Sequence, residues 1–147
     1  MNQPSCEPPD VLRRDYVGDY ATLRSARREV VEFLAEQGVD EETRERAALI
    51  VSELTSNAIQ ASPGLVYNLE VVRVDDTAAI SVRNRPSGRF PPPREQWRPP
   101  AEVSLRELSP RGRGLSIVES LSDELTIEHA GDEIIITARL RLDIDRK

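Results

Sequence analysis

The chain has 147 residues, of which 38% are hydrophobic and 31% charged, and a formal charge of −6; this is one domain's worth of core and leaves no room for separate cofactor and substrate domains. The acidic balance argues against phosphate-backbone binding and so against a direct nucleic-acid partner, while a single cysteine and a single histidine exclude a disulfide framework and any Cys-rich or His-rich metal site. There is no basic start with an apolar run and no stretch of about 18 apolar residues, so no signal peptide, membrane span or membrane partner is expected and the protein is expected in the cytoplasm.

Residues 1 to 9 hold three prolines and are expected to form a flexible tail in which Cys6 has no role. A short strand is expected over 10 to 17. Asp19 then caps a helix over about 20 to 37, with Leu23, Ala26, Val30 and Leu34 on one face and Gly38 as its C-terminal cap. Asp40 caps a second helix running to about 61, whose Ala47, Ile50, Val51, Leu54 and Ala58 recur at helical spacing; Pro63 and Gly64 stop it. Strands follow over 65 to 74 and 77 to 83, joined across Asp75 and Asp76 as a hairpin.

Residues 85 to 113 break this pattern with seven of the eleven prolines and seven arginines against three acids, a local excess of positive charge on an acidic chain. A loop of that length in a compact domain is functional or disordered more often than a mere connection. A short helix over about 114 to 121 comes next, then a strand over 123 to 129, a turn, and a long strand over 133 to 142 that turns Ile134, Ile136, Ala138, Leu140 and Leu142 inward. Helices and hairpins mixed in this order, without regular βαβ alternation, predict an α+β two-layer sandwich: helices on one face of a mainly antiparallel mixed sheet. No internal repeat occurs, and no GxGxxG follows an early strand.

Three stretches carry candidate chemistry. In ERAALIVSELTSNAIQAS, residues 45 to 62, Glu53 and Asn57 lie about 40° apart on a helical wheel at the border of the apolar stripe. An Asn beside buried positions needs a cation, a ligand or a backbone group as partner; the alternative is a solvated flank. In SPRGRGLSIVESLSDEL, residues 109 to 125, Gly112 and Gly114 open a helix whose amides can hold phosphate oxygens, with Arg111 and Arg113 supplying charge. Glycines at a helix start are equally ordinary turn residues. In ISVRNRPSGRF, residues 80 to 90, a strand ends in Asn84, which is also common turn chemistry. His129 is expected at the surface or half-buried, and Trp97 is either a loop anchor or exposed.

In this order and combination the chain resembles the GHKL (Bergerat-fold) ATPase domains, specifically the stand-alone anti-sigma factor serine/threonine kinases of the RsbW and SpoIIAB type, over about residues 10 to 142. SELTSNA is similar to the family's N box, RGRGLSIVESLSDEL to its G2 box and following elements, and SVRNRPSG stands where the family has a strand followed by Asp-x-Gly-x-Gly. The resemblance implies Mg²⁺ held by Asn57, Glu53 as general base, Asn84 at the adenine, and a nucleotide site completed by Gly88, Gly112, Gly114 and Leu115 under a lid of about 85 to 111. Arg111 and Arg113 are placed near the phosphates by charge alone. Two departures stand out: Asn84 replaces an Asp and Pro86 the first Gly, and Gly131-Asp132-Glu133 stands where the family has Gly-Thr. An Asn carbonyl accepts the adenine bond without charge and only if suitably oriented.

The implied activity is transfer of phosphate from Mg-ATP to a serine or threonine of a STAS-type anti-sigma antagonist, together with sequestration of a sigma factor by a homodimer. Two alternatives stay open: a nucleotide-weak or nucleotide-dead protein-binding module on the same fold, and a histidine-kinase-like ATPase domain acting on another acceptor. No phosphoacceptor-histidine helix precedes the domain, so a complete sensor kinase is not expected.

Overall fold

The computed structural model describes residues 10–86 and 113–144. The expected tail at 1 to 9 and all of the expected lid beyond Pro86, with Cys6, Gly88, Trp97, Arg111 and Gly112, therefore lie outside the described residues. Within them, β1 (Val11–Val17) leads into α1 (Ala21–Glu36) and α2 (Glu41–Ala61), β2 (Val66–Val74) and β3 (Thr77–Asn84) form the expected hairpin, and α3 (Arg113–Leu121), β4 (Glu124–Ala130) and β5 (Glu133–Arg141) follow.

The helix boundaries follow from local chemistry. Asp40 Oδ1 accepts from Thr43 N at 2.8 Å and starts α2. At α1 the N-cap is Tyr20 rather than the expected Asp19, whose carboxylate instead accepts from Ala21 N at 2.9 Å. Gly38, with φ +80°, turns the chain between the two helices as expected.

The strands form one sheet in the order β1-β2-β3-β5-β4, and every pairing among the described residues is antiparallel. Register carries the apolar alternation across the sheet: Leu69 faces Val82, which faces Ile136, and Val71 faces Ile80, which faces Ala138. All six are buried under the helices. Burial of each Val, Leu or Ile among them contributes roughly 1.5–3 kcal/mol. The stripe of α2, Ala47, Ile50, Val51, Leu54 and Ala58, is buried in the same core. α2 is the central helix, packed against α1 and α3 and resting on β2, β3 and β5.

The opposite face of the sheet carries no helix among the described residues and is ionic. Arg13 pairs with Glu70 at 2.6 Å and Arg139 with Glu124 at 2.8 Å, and Ser81 and Thr137 share a hydrogen bond of 2.9 Å. The fold is thus the expected two-layer α+β sandwich.

Candidate functional site

The C-terminal half of α2 carries the polar residues that its stripe does not account for. Asn57 sits on the core side at 4% exposure, and its Nδ2 has no hydrogen-bond partner among the described residues. A buried donor left unsatisfied costs about 1–3 kcal/mol, and such a group in a helix interior calls for a ligand or a specific reason. Glu53, one turn earlier on the same helix, is half-buried.

β3 ends beneath the C-terminal turn of α2. Asn84, its last residue, is 3% exposed and pairs with Ile134 of β5. Its Nδ2 donates to Ser62 Oγ at 3.2 Å. Ser62 is the C-cap of α2, also 3% exposed, and its hydroxyl donates to the backbone carbonyl of Arg85. The amide nitrogen of Asn84 is thereby committed, and Oδ1 is the group it can offer to a ligand. Ser62 escaped sequence analysis because ASPG reads only as a helix stop.

α3 begins at Arg113, with Gly114 in its first turn, and packs against α2. The side chain of Leu115 is in the hydrophobic core at 2% exposure, so Leu115 can serve a ligand only through its backbone. The described residues therefore bring the end of β3 to the C-cap of α2, and α3 packs against that same helix. The segment between β3 and α3, residues 87–112, lies outside the described residues.

Among the described residues no three His, Cys, Asp or Glu side chains gather as a metal site. The side-chain oxygen of Asn57 could hold a cation whose other ligands are phosphate oxygens and water, the kind of coordination that Mg²⁺ takes. At the last hairpin, where the family's Gly-Thr is replaced, Asp132 Oδ2 stands 2.9 Å from Arg85 Nε. Both groups are exposed, and such a pair contributes at most about 1 kcal/mol. A groove of about 430 Å³ lies on the helix-free face, lined by Arg13, Asp15, Glu70, Ser81, Arg83 and Thr137. It is separated from Asn57 and Asn84 by the sheet itself. His129 is exposed at the end of β4.

The profile of the histidine kinase-like ATPase domain matches residues 17–139 of the chain. The chain belongs to that family. Among solved structures, this histidine kinase-like ATPase domain is similar to that of the RsbU and RsbW domains of Rv1364c from Mycobacterium tuberculosis, with a TM-score of 0.64 and 21% identity, covering 92% of this chain and 33% of that one. The chain thus spans about a third of the mycobacterial chain's length. It is also similar to a chain in the SiaB-SiaC complex from Pseudomonas aeruginosa, with a TM-score of 0.66 and 14% identity, covering 89% of this chain and 90% of that one. At these identities the likeness is one of fold. No curated protein matches the chain. Among the described residues no helix is long and apolar enough to cross a membrane.

Proposed function

We propose that this ATPase domain is an anti-sigma factor serine/threonine kinase. In this proposal it binds Mg-ATP, phosphorylates a serine or threonine of a STAS-type antagonist and, as a cytoplasmic homodimer, sequesters a sigma factor. The observation that carries the nucleotide part is the buried amide of Asn57, unpaired among the described residues, in a helix that otherwise buries only what it can satisfy. The acceptor and sigma partner rest on the resemblance of SELTSNA and RGRGLSIVESLSDEL to the anti-sigma factor kinases, and the fold shared with an RsbW domain and with a chain of the SiaB-SiaC complex is in keeping with it.

In this mechanism Asn57 Oδ1 would hold the cation while Nδ2 donates to a phosphate oxygen. Bound Mg²⁺ supplies neutralisation of the charge that develops on the phosphoryl oxygens. Glu53 would accept the proton of the acceptor hydroxyl as its oxygen bonds to the terminal phosphorus and the bond to ADP breaks. Asn84 would take the adenine amino group, and the backbone amides of Gly114 and Leu115 at the start of α3, together with that of Gly112, would line the phosphates with Arg111 and Arg113 nearby. Gly88 lies in the segment proposed to close over the nucleotide.

Incubation with labelled ATP, Mg²⁺ and a STAS-domain protein from the same genome tests the proposal. Phosphate is expected on a serine or threonine of the acceptor. Glu53→Ala is expected to slow transfer by about 100-fold or more while nucleotide affinity stays within a few-fold. An unchanged rate in Glu53→Ala contradicts the assigned role. Acceptor binding without any transfer by the unaltered protein would instead make the domain a protein-binding module.

A further inference from the structure

Ser62 and Asn84 are each 3% exposed, and one hydrogen-bond chain joins them to the backbone of Arg85. The direction of that chain follows from its last member. A backbone carbonyl only accepts, so the Ser62 hydroxyl spends its single proton on Arg85 O. The Ser62 oxygen is left as an acceptor, and whatever Asn84 turns toward it must donate. That group is Nδ2, at 3.2 Å. The opposite rotamer would set Asn84 Oδ1 against the Ser62 oxygen with no proton between them, burying two acceptors in repulsive contact. A carboxylate at position 84 would present an acceptor in either orientation. A carboxamide presents an acceptor or a donor, depending on which way it is held.

We infer that Ser62 is a positioning residue that sets the base selectivity of the nucleotide site: it locks the Asn84 carboxamide with Oδ1 turned away from itself, so that the site selects a base with an exocyclic amino group over one with an oxo group at the same place. This rests on the proposed nucleotide site. Its physical content is separate, because an unlocked Asn84 would still bind nucleotide but would turn Nδ2 toward an oxo base. A site built to accept from an amino group discriminates against a ligand lacking that donor, since the acceptor is then left unpaired or opposed by another acceptor. Ser62 thereby supplies by geometry the fixed acceptor that a carboxylate would supply by symmetry.

The experiment is calorimetric titration with ATP and with ITP, both with Mg²⁺, which differ at the purine 6-position as amino against oxo. Five proteins are compared: the unaltered chain, Ser62→Ala, Ser62→Thr, Asn84→Asp, and Asn84→Asp combined with Ser62→Ala. The unaltered chain is expected to prefer ATP. Ser62→Ala is expected to narrow the ATP/ITP ratio by about tenfold, the worth of roughly one hydrogen bond, with ATP weakening and ITP gaining. Ser62→Thr, which keeps the hydroxyl, is expected to restore the ratio. In the Asn84→Asp background, removing the Ser62 hydroxyl is expected to leave the ratio where Asn84→Asp alone puts it.

A merely structural Ser62 would weaken both nucleotides in parallel, and that result, or an unchanged ratio in Ser62→Ala, overturns the inference while leaving the nucleotide site standing. No binding of either nucleotide by the unaltered, folded chain overturns both. Melting temperatures are read alongside; if Ser62→Ala does not fold, Ser62→Cys, a weak donor of similar volume, gives the deciding comparison and is expected to narrow the ratio in the same direction.

Discussion

Gly18 N donates to Leu65 O at 2.7 Å, and Gly18 O accepts from Gly64 N at 3.0 Å, so the residue after β1 clamps the turn that leaves Ser62. A Cβ at position 18 would stand 2.8 Å from both Leu65 O and Ser62 O, which are backbone atoms with little freedom to yield. Gly18→Ala is therefore expected to destabilise the fold by about 1–3 kcal/mol, the usual cost of overpacking a fitted site. Urea unfolding measures this. An unchanged midpoint would mean that the turn shifts without cost and that the clamp is not tight.

The Tyr16 hydroxyl donates to Glu29 at the seam between β1 and α1. Burial first, and then the bond to Glu29 and its negative charge, raise the Tyr16 pKa well above the usual tyrosine range. Burial raises that of Tyr67 as well, partly opposed by its bond with Thr22. Both folded-state values lie above the unfolded one, so this contribution to stability is complete below about pH 10 and is lost as pH rises through the folded values. Melting temperature is expected to fall in that alkaline range. Tyr16→Phe should cost about 1 kcal/mol at neutral pH and flatten the alkaline decline; an equally steep decline in the variant would show that Tyr16 does not cause it.

Asp40 has the opposite sign. Its hydrogen bonds with Thr43 lower its pKa below the usual carboxylate value, so the cap contributes above the unfolded pKa and fades as pH falls through the folded one. Asp40→Ala is expected to lower the melting temperature at neutral pH, with the gap to the unaltered protein closing in acid. A gap that stays constant from neutral pH down through that range would contradict the capping role.

The layer arrangement was legible because α2, β3 and β5 each bury one regular face. Ala47, Ile50, Val51, Leu54 and Ala58 mark the helix, while Ala78, Ile80 and Val82 with Ile134, Ile136 and Ala138 mark the two strands. The strand order was not legible. Nothing local in β5 states that it inserts between β3 and β4, because that pairing joins residues such as Val82 and Ile136 across the expected lid.

At the site, Glu53 and Asn57 could be singled out because a polar side chain at the edge of an apolar stripe is visible from spacing alone. Ser62 could not be. Its bond to Asn84 spans 22 residues, and the direction of that bond depends on where the Arg85 carbonyl points, which is a property of the folded backbone. The same limit explains Leu115, which the family resemblance includes in the nucleotide site but whose side chain packs in the core.

The most direct test of the account is titration of the protein with ATP, with and without Mg²⁺, beside Asn57→Ala. An unpaired buried amide that exists for a ligand makes two demands at once: the variant should lose magnesium-dependent binding, yet melt no lower than the unaltered protein, because removing an unsatisfied donor relieves a cost of about 1–3 kcal/mol. Magnesium-dependent binding that disappears in Asn57→Ala with melting temperature held or raised is the predicted result. No binding at millimolar nucleotide, or equal binding by both proteins, would contradict it.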